Sequence, residues 1–141
     1  MNVCSADLHV HTALSPCADT AMTPPAIVAA ALAAGLDMIA VCDHNSARNA
    51  AAVQEAAGER LAVLAGMEIT TLEECHVVGL FPDARTAETA AEEVGSALPP
   101  VDPDYEAFFG AQLVCDADGR ESDRERRALA MATPFTVDAV V

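Results

Sequence analysis

Short apolar runs of strand character alternate with alanine-rich runs of helix character through the first 82 residues, and this alternation restricts the fold more than any other feature. Val3 to Leu8 reads as a first strand. Thr23 then offers an N-cap hydroxyl, Pro24 and Pro25 suit a first helical turn, and Gly35 after Ile27 to Ala34 suits a C-terminal stop, which predicts a helix. Leu36 to Cys42 predicts a second strand, Ser46 to Ala57 a second helix closed by Gly58, and Arg60 to Ala65 a third strand. Two strand-helix-strand units dictate a parallel sheet, because parallel neighbours need a long crossover. Glu68 to Leu72 and Cys75 to Phe81 are separated only by Glu73 and Glu74, too few for a crossover, and predict an antiparallel hairpin ended by Pro82 and Asp83.

Beyond Ala84 the pattern loosens. Thr86 to Leu98 predicts a helix broken by Pro99, Pro100 and Pro103, and Gln112 to Cys115 a short strand. Asp116-Ala117-Asp118-Gly119 begins like a calcium loop but has its glycine fourth rather than sixth, so it reads as a turn. Ser122 to Met131, where Arg124, Arg126 and Arg127 interleave with Asp123 and Glu125, reads as a solvated helix. Thr136 to Val141 reads as the first turn of a further helix.

Seven basic residues, all arginine, stand against 22 acidic ones, a net charge of −15. That balance argues against direct nucleic-acid binding, which rests on clustered positive charge. It suits a salt-rich cytoplasm or a need for metal cations. The five cysteines are scattered without a Cys-x-x-Cys, so neither a disulfide scaffold nor a zinc ribbon is signalled, and a reducing cytoplasm fits. Met1-Asn2-Val3 lacks the basic start of a signal peptide. The longest apolar run, Ala26 to Ala34, is about half of the roughly 20 residues a membrane span needs, so no membrane partner is expected.

All four histidines, His9, His11, His44 and His76, lie at or just after a predicted strand of one sheet. His9 and His11 are two apart, so on an extended segment both rings point to one side, as two ligands of one metal require. Asp43-His44 follows the second strand and Glu68 the third, and strand carboxyl ends form the binding rim of parallel sheets. A lone strand histidine is more often a core or surface residue than a ligand, but that reading would have to hold four times over. Cys17 and Asp19 lie in the polar loop after the first strand, where a thiol could complete a soft site or do nothing. Cys42 as a nucleophile fits poorly, because its side chain should point away from His44 or into the sheet.

Asp-Leu-His-Val-His-Thr at 7–12, Gly-Leu-Asp-Met-Ile-Ala-Val-Cys-Asp-His-Asn at 35–45, Gly-Met-Glu-Ile-Thr at 66–70 and Cys-His-Val-Val-Gly-Leu-Phe at 75–81 resemble, in order and spacing, the first four motifs of the PHP (polymerase and histidinol phosphatase) superfamily. The resemblance implies an α/β fold that is the N-terminal part of a distorted (βα)7 barrel holding two or three divalent ions, zinc, manganese or iron. It implies a metal-dependent phosphoesterase acting on a phosphorylated small molecule or nucleotide; the alternative is a catalytically inactive metal-binding remnant or interaction module. Carried over by position, His9, His11 and Glu68 would hold one metal, Glu68 would bridge to a second that His76 also binds, and Cys17 with His44 would hold a third. A thiolate there favours zinc over manganese. Asp7, Asp43 and Asn45 would orient the imidazoles.

Residues 1–84 thus form the metal-binding half of the expected domain and 85–141 its helical or irregular continuation. The family's remaining ligands come from the barrel's second half, and a closed barrel of strand-helix units takes roughly 200–300 residues. A chain of 141 residues with no histidine after His76 is therefore expected to be an N-terminal portion, weak or silent in phosphomonoester hydrolysis on its own.

Overall fold

The computed structural model describes residues 3–141; Met1 and Asn2, part of the segment judged unlike a signal peptide, lie outside them. Four strands, β1 (Ala6–Val10), β2 (Met38–Val41), β3 (Ala62–Thr70) and β4 (His76–Phe81), form one sheet in the order β1-β2-β3-β4. Helices α1 (Pro24–Ala33) and α2 (Ala50–Ala57) make the two crossovers, and both resulting strand pairs are parallel, as the alternation predicts. The fold is α/β.

One continuous β3 replaces the two strands expected at Arg60 to Ala65 and Glu68 to Leu72. Gly66 does not interrupt it, because β3 changes partner there. Ala62 to Ala65 pair parallel with β2, and Ala65 to Thr70 pair antiparallel with β4. The predicted hairpin is present, its tight turn carried by Glu74 at φ 60°. β1 starts later than expected because its pairing begins only where Met38 faces Ala6. Thr23 precedes α1 without making a side-chain cap, so the prolines alone start that helix. α2 begins at Ala50 rather than Ser46. Asn45 is left-handed at φ 49°, and Asn49 spends its side chain on tertiary bonds to Thr12, Leu113 and Cys115.

Cross-strand pairs Glu68 with Val78 and Thr70 with His76 share one face of the sheet. Alternation sends Ala65, Met67 and Ile69 to the other face, where they pack on Ala84, Ala87, Ala91 and Val94 of α3 (Ala84–Ser96). α1 and α2 cover the same side of β2 through Ile27, Val28, Val53, Ile39 and Val41. Fully burying a side chain such as Met67 or Ile39 contributes about 2 kcal/mol, so this face anchors the sheet. Leu8, Val78 and Leu80 remain exposed.

Two elements of the second part differ from expectation. Pro103 starts α4 (Pro103–Phe109) instead of merely breaking a helix, because Asp102 caps it by accepting the Tyr105 N–H at 2.8 Å. The mixed-charge stretch from Ser122 is not helical. The turn at Asp116 to Gly119, with Gly119 at φ 83°, folds β6 (Glu121–Arg124) back onto β5 (Leu113–Cys115) as an antiparallel pair. The buried Gln112 amide then holds the following loop, donating to the carbonyls of Glu125 and Arg127 and accepting the Leu129 N–H. A short α5 (Val137–Val140) forms where a helical turn was expected. No helix among the described residues is long and apolar enough to cross a membrane.

Candidate metal centre

The sheet brings all six predicted donors to one end. His9 lies in β1 and His11 just beyond it. His44 follows β2 and forms an isolated parallel bridge with Glu68 of β3, while His76 opens β4. The Glu68 side chain is 6% exposed and lies at the focus: its Oε2 is 3.1 Å from His9 Nε2, 3.2 Å from His11 Nε2 and 3.4 Å from His44 Nδ1, and its Oε1 is 2.8 Å from His76 Nδ1. Neighbouring ring centroids are 4.9 Å apart for His9 and His11, 4.8 Å for His11 and His44, and 5.3 Å for His44 and His76.

Three sets of donor atoms lie within 4.8 Å of one another: His9, His11 and Glu68; His44, Glu68 and His76; and His11, Cys17 and His44. The loop after β1 therefore folds back over the strand ends and carries Cys17 to His44. Cys42 is elsewhere, buried in the sheet with its thiol directed at the Leu8 carbonyl 3.6 Å away. Burial pushes that thiol up to about 12, with the Asp43, Glu68 and Asp7 charges adding to it, which leaves no thiolate for nucleophilic work.

Burial lowers the pKa of His11 and of His44, in each case against the raising pull of Glu68 and with neighbouring histidines adding to the lowering. Burial works to raise the pKa of Glu68, but the His9 hydrogen bond, the His44 charge and the His76 hydrogen bond outweigh it and hold the carboxyl below its ordinary value. Burial thus disfavours the charged form of the inner imidazoles, while their company favours the ionised form of Glu68. His44 Nδ1 is buried without a hydrogen-bond partner among the described residues. An unsatisfied ring nitrogen beside three further imidazoles, a carboxylate and a thiol is the donor chemistry of a divalent transition ion, so the residues fit the metal role.

The expected supporting residues divide. Asp43 is fully buried and reaches the His11 imidazole and the His44 backbone through Ser15, a residue the motif reading passed over: the Ser15 hydroxyl donates to Asp43 at 2.7 Å, accepts the His44 backbone N–H at 3.0 Å and lies 2.9 Å from His11 Nδ1. Its position four residues after His11 in a loop of small polar residues was the available signal. Among the described residues Asp7 accepts only the His9 backbone N–H, at 3.1 Å. Asn45 touches no imidazole among the described residues. It clamps backbone instead, donating to the Leu129 and Met131 carbonyls and accepting the Thr70 N–H. Asp19 accepts the Ala21 N–H within its own loop.

The PHP domain family matches residues 7–121, most of the chain. No curated protein sequence matches it. Among solved structures, a crystal structure named that of a "putative metal-dependent phosphoesterase" from Bifidobacterium adolescentis is similar with a TM-score of 0.54 at 24% identity, over 77% of this chain and 44% of that one. The chain spans less than half the length of that protein, and the likeness is one of fold. With four ordered motifs, an α/β sheet that gathers their side chains and a family match over residues 7–121, the chain belongs to the PHP domain family.

Proposed function

We propose that this chain carries the divalent-metal centre of a phosphoesterase. The observation that carries the reading is the convergence of four imidazoles on one buried carboxylate, within a PHP domain. The similarity in fold to the bifidobacterial protein, named for metal-dependent phosphoesterase activity, points the same way. His9, His11 and Glu68 would hold one ion, and Glu68 would bridge to a second held by His76. Cys17 with His44 would hold a third. Bound divalent ions lower the pKa of a water, clamp phosphate oxygens and stabilise the leaving group.

The chain's own residues bear on the substrate. Beside the centre lies a cavity of about 170 Å³ lined by Pro16, Cys17, His44, Thr70, His76, Phe109 and Ala130. No arginine lines it, so this cavity offers a phosphate no protein cation apart from protonated histidine. Phe109 and Pro16 supply an apolar wall suited to an uncharged organic group on a single phosphate. The parallel order β1-β2-β3 suits three strands of a (βα)7 barrel, with the antiparallel β4 at its edge, and residues 1–84 and 85–141 would be parts of one domain. A second reading is metal binding without turnover, as in a catalytically inactive metal-binding module.

Zinc or manganese loading of the purified chain, with metal content by emission spectroscopy and turnover of p-nitrophenyl phosphate, tests both readings. Bound metal that is lost in Glu68→Gln, with slow chelator-sensitive hydrolysis, is expected; metal binding without hydrolysis selects the second reading. No metal uptake, or uptake unchanged in Glu68→Gln, overturns the assignment.

A further inference from the structure

Ser15 Oγ closes a hydrogen-bond account that fixes the state of its neighbour. It is 2% exposed and has three partners: Asp43 Oδ1, the His44 backbone N–H and His11 Nδ1. A hydroxyl offers one proton and two lone pairs. Where the proton goes is decided one shell further out. The Thr12 oxygen already accepts the Leu14 N–H at 3.2 Å and the Asn49 amide at 2.8 Å, so its own proton goes to Asp43 Oδ2 at 2.8 Å. Asp43 Oδ1 also receives the Thr12 N–H at 2.7 Å. The Asp43 carboxylate is an acceptor throughout, and the Ser15 proton belongs to it. One Ser15 lone pair takes the His44 N–H, and the other is left for a proton on His11 Nδ1.

We propose that Ser15 is a positioning residue that holds His11 as its Nδ1-protonated tautomer and thereby presents the Nε2 lone pair to the centre of the metal site. The role toward metal rests on the proposed function; the tautomer does not. His11 Nε2 lies 3.2 Å from Glu68 Oε2. With the ring proton committed to Ser15, two lone-pair-bearing atoms face each other at that distance, an arrangement a cation between them makes favourable. The same hydroxyl holds the His44 backbone, so one side chain sets the positions of two donors from different strands. Partners of this kind fix ring orientation and ligand basicity in metal sites.

The test uses the full chain, metal-free and labelled with ¹⁵N, at a pH where the imidazoles are neutral. Two-bond ¹H–¹⁵N spectra report which ring nitrogen of His11 carries the proton, and competition with a chromophoric chelator gives zinc affinity. The expected result is Nδ1–H for His11 in the wild type, loss of that preference in Ser15→Ala with zinc affinity reduced about 10- to 100-fold, and recovery of both in Ser15→Thr. Leu14→Ala, which truncates a fully buried neighbour, should lower the melting temperature and leave the tautomer unchanged. A wild-type His11 found mainly as Nε2–H overturns the proposal, even if Ser15→Ala does not fold. Zinc affinity of Ser15→Ala within about twofold of the wild type also overturns it. A wild type with the Nδ1–H tautomer that takes up no zinc supports the Ser15 assignment and refutes the metal reading instead.

Discussion

Gly66→Ala puts a methyl group where β3 changes partners, two residues before Glu68. A Cβ built there stands 2.7 Å from Cys42 Sγ, 3.0 Å from the Gly79 carbonyl oxygen and 3.0 Å from Leu80 Cδ2. Leu80 is half-exposed and can turn away, but the Gly79 oxygen is backbone paired across the sheet and Cys42 is fully buried. Overpacking of this kind costs about 1–3 kcal/mol. Restricting the unfolded chain at the former glycine returns about 0.4–1 kcal/mol, so at the middle of both ranges the net loss is about 1.3 kcal/mol. At about 4 °C per kcal/mol for a domain of this size, the melting temperature should fall by about 5 °C. Because the strand must shift to relieve the contact, Glu68 moves with it and zinc affinity should fall too. Cys42→Ala removes the nearest clash. The double variant should therefore be at least about 0.5 kcal/mol more stable than the two single effects summed, in a thermal-denaturation cycle followed by circular dichroism. Strict additivity, or a Gly66→Ala protein melting with the wild type, would refute the close approach of strands at this point.

Two further outcomes follow from the site. In metal-free protein, His11 and His44 have pKa values below the ordinary 6.5, so the unfolded chain binds more protons and stability should fall as pH drops below about 6.5. Glu68, held below its ordinary 4.5, adds a further loss below that pH, while the raised Asp43 works in the opposite sense above 3.8. Melting curves in chelator that rise on acidification from pH 6.5 toward 5 would contradict this sign. Zinc should also slow alkylation of Cys17 by iodoacetamide, read by peptide mass spectrometry, while leaving exposed Cys4 and Cys75 equally reactive and Cys42 unmodified throughout. Equal rates at Cys17 with and without zinc would remove the thiol from the ligand set.

Periodicity was a sufficient guide wherever a segment buried a simple face. The alanine-rich runs of α1 and α2 and the apolar core of β2 were legible because burial selects those residues by position. Charge pattern misled at Glu121 to Arg124, since a short exposed hairpin strand and a solvated helix face carry the same residue types, and only Gly119 and the pairing with β5 separate them. Pro103, read as a helix breaker, lies beyond the end of α3 at Ser96 and instead begins α4, with Asp102 as the deciding cap. At the site, histidines and the glutamate stood out because few other roles suit them at strand ends. Ser15 did not, and the resemblance named Asn45 without its backbone partners, because a hydroxyl or amide acquires its role from partners as much as 86 residues away in sequence.

The six donors differ in how firmly the backbone beneath them is held. Glu68 lies on the inner strand β3, its N–H bonded to the Asp43 carbonyl at 3.0 Å and its carbonyl receiving the Asn45 N–H at 2.9 Å. His9 and His76 sit on the outer strands β1 and β4, and Cys17 on a loop. Local opening begins at such margins and reaches an inner strand last. In amide exchange the Glu68 proton should outlast those of His9 and His76 by a wide interval. The carboxylate would then be a standing post for imidazoles on looser backbone, and release of a bound ion would begin at an outer histidine while Glu68 stayed in place.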